Sequence, residues 1–173
     1  MASPSVMVVE DGTGKATSNS YATLAEANAY HLEMGNAAWA ALSDSLKEDA
    51  LVRASRAIDR LYGTRFKGEQ TTFGTQAMEW PRQWVDQGRY FFYSNIIPKQ
   101  LKAAACEAAL RESATPGILM PDLEKGRAIQ SVTAGPVSVT YASGASSKTV
   151  FQALDGILAP LIKGKQIEIV LGG

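Results

Sequence analysis

The sequence predicts a mainly α protein: a small helical bundle of about four helices, with a β-hairpin and extended N- and C-terminal arms. Three observations carry this. Residues 46–62 keep apolar side chains at helical spacing between clear start and stop signals. The segment "IPKQLKAAACEAALRES" repeats that spacing with a stripe of small residues. In "VSVTY" the period then changes to two, as in a half-buried strand. At 173 residues the chain suits one domain. It divides into an N-terminal strand or arm over 1–20, a helical core over 21–126, and a hairpin, C-terminal helix and tail over 127–173.

The elements follow in order. "SVMVV" over 5–9 suggests a short strand, and "EDGTGKATSNS" after it a loop. Thr23 and Glu26 have capping-box spacing and Gly35 sits where a C-cap belongs, which predicts a helix over about 24–34. "NAAWAAL" is a short apolar link of one or two helical turns. Ser45 with Glu48 repeats the capping box and Gly63 supplies a stop. Leu46, Ala50, Leu51, Ala54, Ala57, Ile58, Leu61 and Tyr62 fill one face of that helix; Arg53, Arg56 and Arg60 fall opposite. Residues 64–96 lack a sustained period, and Pro81 and Gly88 interrupt them; so long a loop in a compact domain is functional or interface-forming unless an element is hidden in it. Pro98 suits the first turn of the next helix, along which Leu101, Ala104, Ala105, Ala108 and Ala109 form the small-residue stripe. "RAIQSV", "TAGP" and "VSVTY" make a hairpin. A last helix carries Phe151, Leu154, Leu158 and Leu161 on one face and is ended or kinked by Pro160; "KQIEIVLGG" is a β-prone tail.

Hydrophobic residues make up 46% of the chain and charged residues 20%, which excludes a disordered class. No apolar run is long enough to cross a bilayer, so no membrane partner is expected. The N-terminus lacks the basic start and apolar core of a signal peptide, and the one cysteine has no internal partner, so a reducing cytoplasm is the expected compartment. Net charge is zero but unevenly spread. Residues 1–52 carry two basic and seven acidic side chains, and residues 53–102 nine basic and four acidic. An acidic front and a basic middle suit contact with a polyanion, contact between copies of the chain, or packing of one half on the other.

Catalytic machinery is scarce, so the chain is not expected to be an enzyme, and no catalytic, cofactor or metal residues are assigned. His31 is the one histidine and reads as a partly exposed helix residue; Cys106 lies among alanines and reads as buried and inert. One His and one Cys cannot form the usual zinc site. "DGTGKAT" resembles a phosphate loop only loosely: one residue separates its glycines and Ala16 follows Lys15, so it is read as a turn. Binding remains. Arg53, Arg56 and Arg60, with Arg65 and Lys67 just beyond, form a basic row suited to a phosphate backbone or a subunit interface. Trp80, Trp84, Phe91, Phe92 and Tyr93 are either base-stacking groups or aromatic anchors in a core or interface. In "MEWPR", Pro81 restrains Trp80, which reads as a rigid anchor, with Trp84 and the aromatics up to Tyr93 as a surface contact.

Taken in order, "VVEDGTG", "NSYATLAEANAY", "GNAAWAALSDSLKEDALVRASRAIDRLYG", "MEWPR", "IPKQLKAAACEAALR" and "GPVSVTYASGASSKTVFQALDGILAPLI" resemble tailed-bacteriophage proteins labelled DnaT-like single-stranded DNA-binding proteins. The same order of helices is similar to head–tail connector, or adaptor, proteins. That second likeness implies a structural virion protein made in the host cytoplasm and placed at the neck. There it would form a homo-oligomeric, dodecameric ring between the portal protein and the tail or stopper proteins, with passive contact to packaged DNA in the lumen. Physical arguments favour the connector: the acidic front and basic middle can meet between neighbours in a closed ring. Phe151, Leu154, Leu158 and Leu161, with Ile167, Ile169 and Leu171 of the tail, would be the arm that docks on the portal or a neighbour. The alternative is a DnaT-like single-stranded DNA-binding protein acting in phage replication.

Overall fold

The computed structural model describes residues 6–120 and 151–164 and the backbone of residues 131–134 and 137–140. The mainly helical class is the one observed. Among the described residues five α-helices run in order: α1 (Leu24–Glu33), α2 (Ala37–Ala40), α3 (Asp44–Tyr62), α4 (Lys99–Ala114) and α5 (Gln152–Leu158). Short 3₁₀ turns follow α3 at Gly63–Arg65 and α5 at Ala159–Leu161. The strands form two antiparallel ribbons, β1 (Glu69–Gln70) with β2 (Arg82–Gln83), and β3 (Ser131–Ala134) with β4 (Val137–Thr140). The second ribbon is the expected hairpin, in the register Ser131 opposite Thr140 and Ala134 opposite Val137.

The helix ends follow from local chemistry. At α1 the Thr23 hydroxyl accepts from Glu26 N–H (3.1 Å) and Glu26 Oε2 accepts from Thr23 N–H (2.8 Å), the reciprocal box expected. At its other end Gly35 turns left-handed at φ 68°, and the Gly35 and Asn36 N–H groups donate to the Leu32 and His31 carbonyls (3.1 and 2.9 Å), a Schellman closure. The start of α3 lies two residues earlier than the capping-box spacing suggests. Ser43, not Ser45, is the cap, with extended backbone and its hydroxyl accepting from Leu46 N–H (3.4 Å). Gly63 does not stop α3 with a left-handed turn; its backbone stays helical and leads into the 3₁₀ turn. Pro160 ends α5 as expected, at Leu158.

The core is the seam between α3 and α4, the most extensive contact between two elements. Its buried faces are rich in alanine: Ala50, Ala54 and Ala57 on α3, and Ala104, Ala105, Ala108 and Ala109 on α4. Small side chains let the two backbones approach closely while Leu51, Ile58 and Leu101 fill the margins. Helix α5 packs on α4, so residues 151–164 belong to the same core as 21–120. This corrects the docking-arm expectation. Leu154, Leu158 and Leu161 are fully buried within the chain and Phe151 is half-buried, because the apolar stripe of α5 has α4 to cover it. Ile167, Ile169 and Leu171 lie outside the described residues.

Residues 6–20 are not a free arm, and the strand expected over 5–9 reduces to a single parallel bridge between Val9 and Ser20. The chain folds around Glu10 instead. That buried carboxylate accepts from the N–H groups of Gly12, Gly14 and Lys15 (3.0, 3.0 and 2.9 Å) and from the Ser18 hydroxyl (2.8 Å).

The long segment 64–96 is organised from beneath by one buried junction. Tyr21, fully buried, donates its hydroxyl to Asp59 of α3 and accepts from Trp80 N–H (3.2 Å). The other Asp59 oxygen accepts from Glu79 N–H (3.2 Å), and Tyr21 N–H donates to the Ser55 hydroxyl (3.1 Å). The backbone at 79–80 is thereby tied to α3 and to the chain ahead of α1. Trp80 is itself fully buried, edge-on to Phe66 (ring centroids 5.8 Å apart) and to Phe92 (6.5 Å), and its peptide bond to Pro81 is cis. Arg82 completes the tie: Nε donates to the Lys67 carbonyl (2.9 Å), Nη2 to that of Gly68 (2.8 Å), and Nη1 to Glu79 Oε2 (2.9 Å). Gly68, at φ 67°, lies so near Gln83 that a Cβ would stand 2.1 Å from its carbonyl oxygen.

Two expectations follow. Trp80→Ala empties a fully buried site and is expected to cost about 3–5 kcal/mol, whereas Trp84→Ala, four residues on and exposed, changes stability by less than about 0.5 kcal/mol. Urea denaturation of the two variants checks the contrast. Burial, ahead of all other causes, pushes the Asp59 carboxyl up to about 7. The folded chain thus keeps a proton that the unfolded chain releases above about pH 4, and the associated stability is lost as pH rises from there through 7. The denaturation midpoint of the wild-type chain should fall between pH 4 and pH 8, and Asp59→Asn should flatten that part of the profile. An unchanged profile in the variant would assign the titration elsewhere.

Candidate nucleic-acid interface

From the Trp80 anchor the chain turns outward into a short hairpin. Phe92 N–H donates to the Val85 carbonyl (3.0 Å), Asp86 and Phe91 form an antiparallel bridge, and Gln87 N–H donates to the Tyr90 carbonyl (2.8 Å). The Asp86 carboxylate accepts from Gly88 N–H (2.6 Å), closing the tip. Val85 is fully buried and Phe92 half-buried against Trp80, so both feet stand on the core.

What the loop presents is aromatic. Trp84 is 61% exposed, Tyr90 77%, Phe91 66% and Tyr93 77%, and Phe73 on the preceding turn is 67% exposed. Side chains this large and apolar ordinarily seek burial, so their concentration on one secured loop makes it a candidate binding surface. Trp84 also sits at φ 56°, in the left-handed region that bulky residues avoid, a conformation held at a cost. The five aromatic candidates therefore separate: Trp80 and Phe92 are internal, while Trp84, Phe91 and Tyr93 are at the surface. Sequence reasoning passed over Arg89 and covered Tyr90 only within the run of aromatics up to Tyr93. The turn-forming "DQGR" before "YFFY" was the available signal, since a tight tip leaves its flanking side chains uncovered.

The basic row also divides. Arg53, Arg56 and Arg60 line one concavity of about 300 Å³ with Ala57, Glu112, Gly117 and Met120. Arg53 is held there by Glu112, its Nε 3.5 Å from Oε2. Glu112 is buried and structural, accepting from the N–H groups of Gly117 (2.7 Å) and Leu119 (3.2 Å) to fold the turn after α4. Arg56 and Arg60 are exposed, with no ion-pair partner among the described residues. Arg65 and Lys67 are not on this face. Arg65 lies over the Tyr62 ring (5.2 Å) and reaches Asp155 (3.4 Å); Lys67 donates to the carbonyls of Pro160 (3.1 Å) and Asp86 (3.3 Å). Lys67 is thereby placed at the foot of the aromatic loop, with no carboxylate partner among the described residues.

The groups with catalytic chemistry are used internally. The loop that resembles a phosphate cradle already encloses the Glu10 carboxylate, and Lys15 is taken by the Val9 carbonyl (3.0 Å) and Asp11 (2.8 Å). His31 is not partly exposed but buried, 4.4 Å from the Trp39 ring centroid, with Nε2 3.1 Å from the Cys106 carbonyl and Nδ1 2.9 Å from Asn36 Nδ2. Those contacts suit a neutral ring donating from Nε2 and accepting at Nδ1, and burial holds the pKa below the ordinary histidine value. Burial likewise pushes the Cys106 thiol up to about 12. Among the described residues no three His, Cys, Asp or Glu side chains gather as a metal site would require.

No curated protein and no solved structure matches the chain. The model of one family, described as "Putative DnaT-like ssDNA binding protein", matches residues 5–172. The match overturns the head–tail connector expectation, because the family that spans nearly the whole chain is described by single-stranded DNA binding and not by a place in the virion neck. By that match the chain belongs to the DnaT-like ssDNA-binding protein family.

Proposed function

We propose that this protein binds single-stranded DNA without sequence preference, stacking bases on the exposed aromatic side chains of the 84–93 loop. The observation that carries this is the loop itself: Trp84, Tyr90, Phe91 and Tyr93 project from a hairpin whose feet are buried. Every base has a π-face, so such a surface tolerates any sequence, with about 1–3 kcal/mol gained per stacked base. The anchoring by Val85, Phe92 and Trp80 lowers the ordering cost that a flexible loop would incur on binding. Cationic groups stand where a phosphate backbone would pass. Arg89 is exposed at the tip and Lys67 lies at the foot. The zero net charge of the whole chain does not oppose this, since residues 53–102, which contain the loop, carry nine basic and four acidic side chains.

The test is fluorescence anisotropy with a labelled oligothymidylate. Alanine at Trp84, Tyr90, Phe91 or Tyr93 is expected to weaken binding about fivefold to hundredfold at each position that stacks a base. Wild-type affinity should fall with salt, with a log–log slope of about −0.7 for each phosphate neutralised. Affinity unaffected by all four substitutions would refute the stacking loop, and absence of binding at low salt would refute the function.

A further inference from the structure

A pocket of about 360 Å³ opens where α1 meets α2, and no residue of the aromatic loop lines it. Its volume is at the lower end of the range that holds small molecules. The buried rings of His31 and Trp39 form part of its wall, with centroids 4.4 Å apart. The polar atoms of both rings are spent on neighbours. The Trp39 indole N–H donates to Asn28 Oδ1 (2.9 Å), and His31 Nε2 and Nδ1 meet the Cys106 carbonyl (3.1 Å) and Asn36 Nδ2 (2.9 Å). From these rings, and from Leu32, Ala37 and Ala40 beside them, an entering molecule meets carbon surface.

One charged side chain lines the pocket, Lys47, and among the described residues no carboxylate does. Lysine is seldom buried unless it is paired. Here the side chain is only 9% exposed, yet its carboxylate partner, Asp44, is 75% exposed and stands 3.7 Å away, beyond hydrogen-bond reach. Among the described residues the ammonium has no hydrogen-bond acceptor. Asn28 has engaged only its oxygen, so its side-chain NH₂ is a second unspent donor on the lining. A buried ammonium in this state is short of an anion, and the carbon surface beside it favours an anion that carries an apolar body.

We propose that the α1–α2 pocket binds a small carboxylic acid in its ionised form. The apolar body lies against His31 and Trp39, and the carboxylate accepts from Lys47 and from the Asn28 side chain. The volume sets the size of the body, an aromatic ring or a short alkyl chain. The charge sets the class: a neutral molecule of the same shape gains the apolar contact alone, and a cation is repelled by Lys47. The site is separate from the aromatic loop, and the proposal does not rest on the binding of a strand there.

Phenylacetate serves as the probe and phenylacetamide as its uncharged counterpart, with binding read from the NMR shifts of the Trp39 indole N–H and the backbone N–H groups of residues 28–47. Phenylacetate should shift these groups saturably, with a dissociation constant of about 0.1–10 mM for so small a ligand. It should bind about tenfold more tightly than phenylacetamide, and the preference should shrink at high salt. Lys47→Met, which keeps the stem and removes the charge, should bring the acid down to the affinity of the amide, and Lys47→Arg should keep most of the preference. Thermal melts verify that both variants fold, and the wild-type comparison of acid with amide stands whether or not they do. Trp84→Ala should bind phenylacetate as the wild type does. No saturable shift, equal affinity for acid and amide, a preference retained in Lys47→Met, or shifts confined to the aromatic loop would overturn the proposal. Shifts of the pocket groups that grow with protein concentration in the absence of ligand would give the pocket to a second copy and overturn it too.

Discussion

The tie between Tyr21, Asp59 and the backbone at 79–80 is the constraint on which the rest of the structure depends. One phenol joins the chain ahead of α1, the middle of α3 and the segment that carries Trp80. Remove the phenol, and only the Glu79 N–H bond to Asp59 is left of this tie between the 79–80 backbone and α3. Trp80 then loses the frame that seats it against Phe66 and Phe92, and the aromatic loop loses its inner foot. Such a junction is expensive to form, since a carboxyl and a phenol are taken out of water, and it persists because each satisfies the other. The raised Asp59 pKa expresses that cost.

A division of labour among charged groups follows. Those able to rigidify the scaffold are committed inside it: Glu10 organises the first loop, Glu112 the turn after α4, and Arg82 the ribbon under the aromatic hairpin. Arg56, Arg60 and Arg89 remain at the surface, and on that surface a neutral chain can attract an anion or a partner face. Net charge averages over both populations, which is why a balanced total says little about either.

How much of this was legible in the sequence depends on how local the cause is. Thr23 with Glu26, Gly35 and Pro160 act on their immediate neighbours, and α1 and the end of α5 fall where those residues indicate. Two serines two residues apart can each cap α3, and only the path of the preceding chain selects Ser43. Non-local causes were hidden. His31 looked partly exposed on α1 because Trp39 and the Cys106 carbonyl, which bury it, come from elsewhere. The stripe on α5 looked like a docking arm because nothing in it names α4 as its cover. The aromatic run 90–93 alternates in no helical or strand period, so which rings face out was fixed only by the turn at Gly88 and the burial of Phe92. The connector expectation failed for a related reason: an order of amphipathic helices describes a scaffold, and a scaffold does not by itself fix a function.

The most direct test of the account uses the protein's own tryptophans. Trp39 and Trp80 are buried and Trp84 is 61% exposed, so emission that a stacked base can quench should come from Trp84. Titrating the folded protein with unlabelled single-stranded oligonucleotide at low salt should quench its fluorescence saturably, and Trp84→Phe should remove most of that quenching while retaining binding. If the strand binds with no change in Trp84 emission, the aromatic loop is not where the DNA lies.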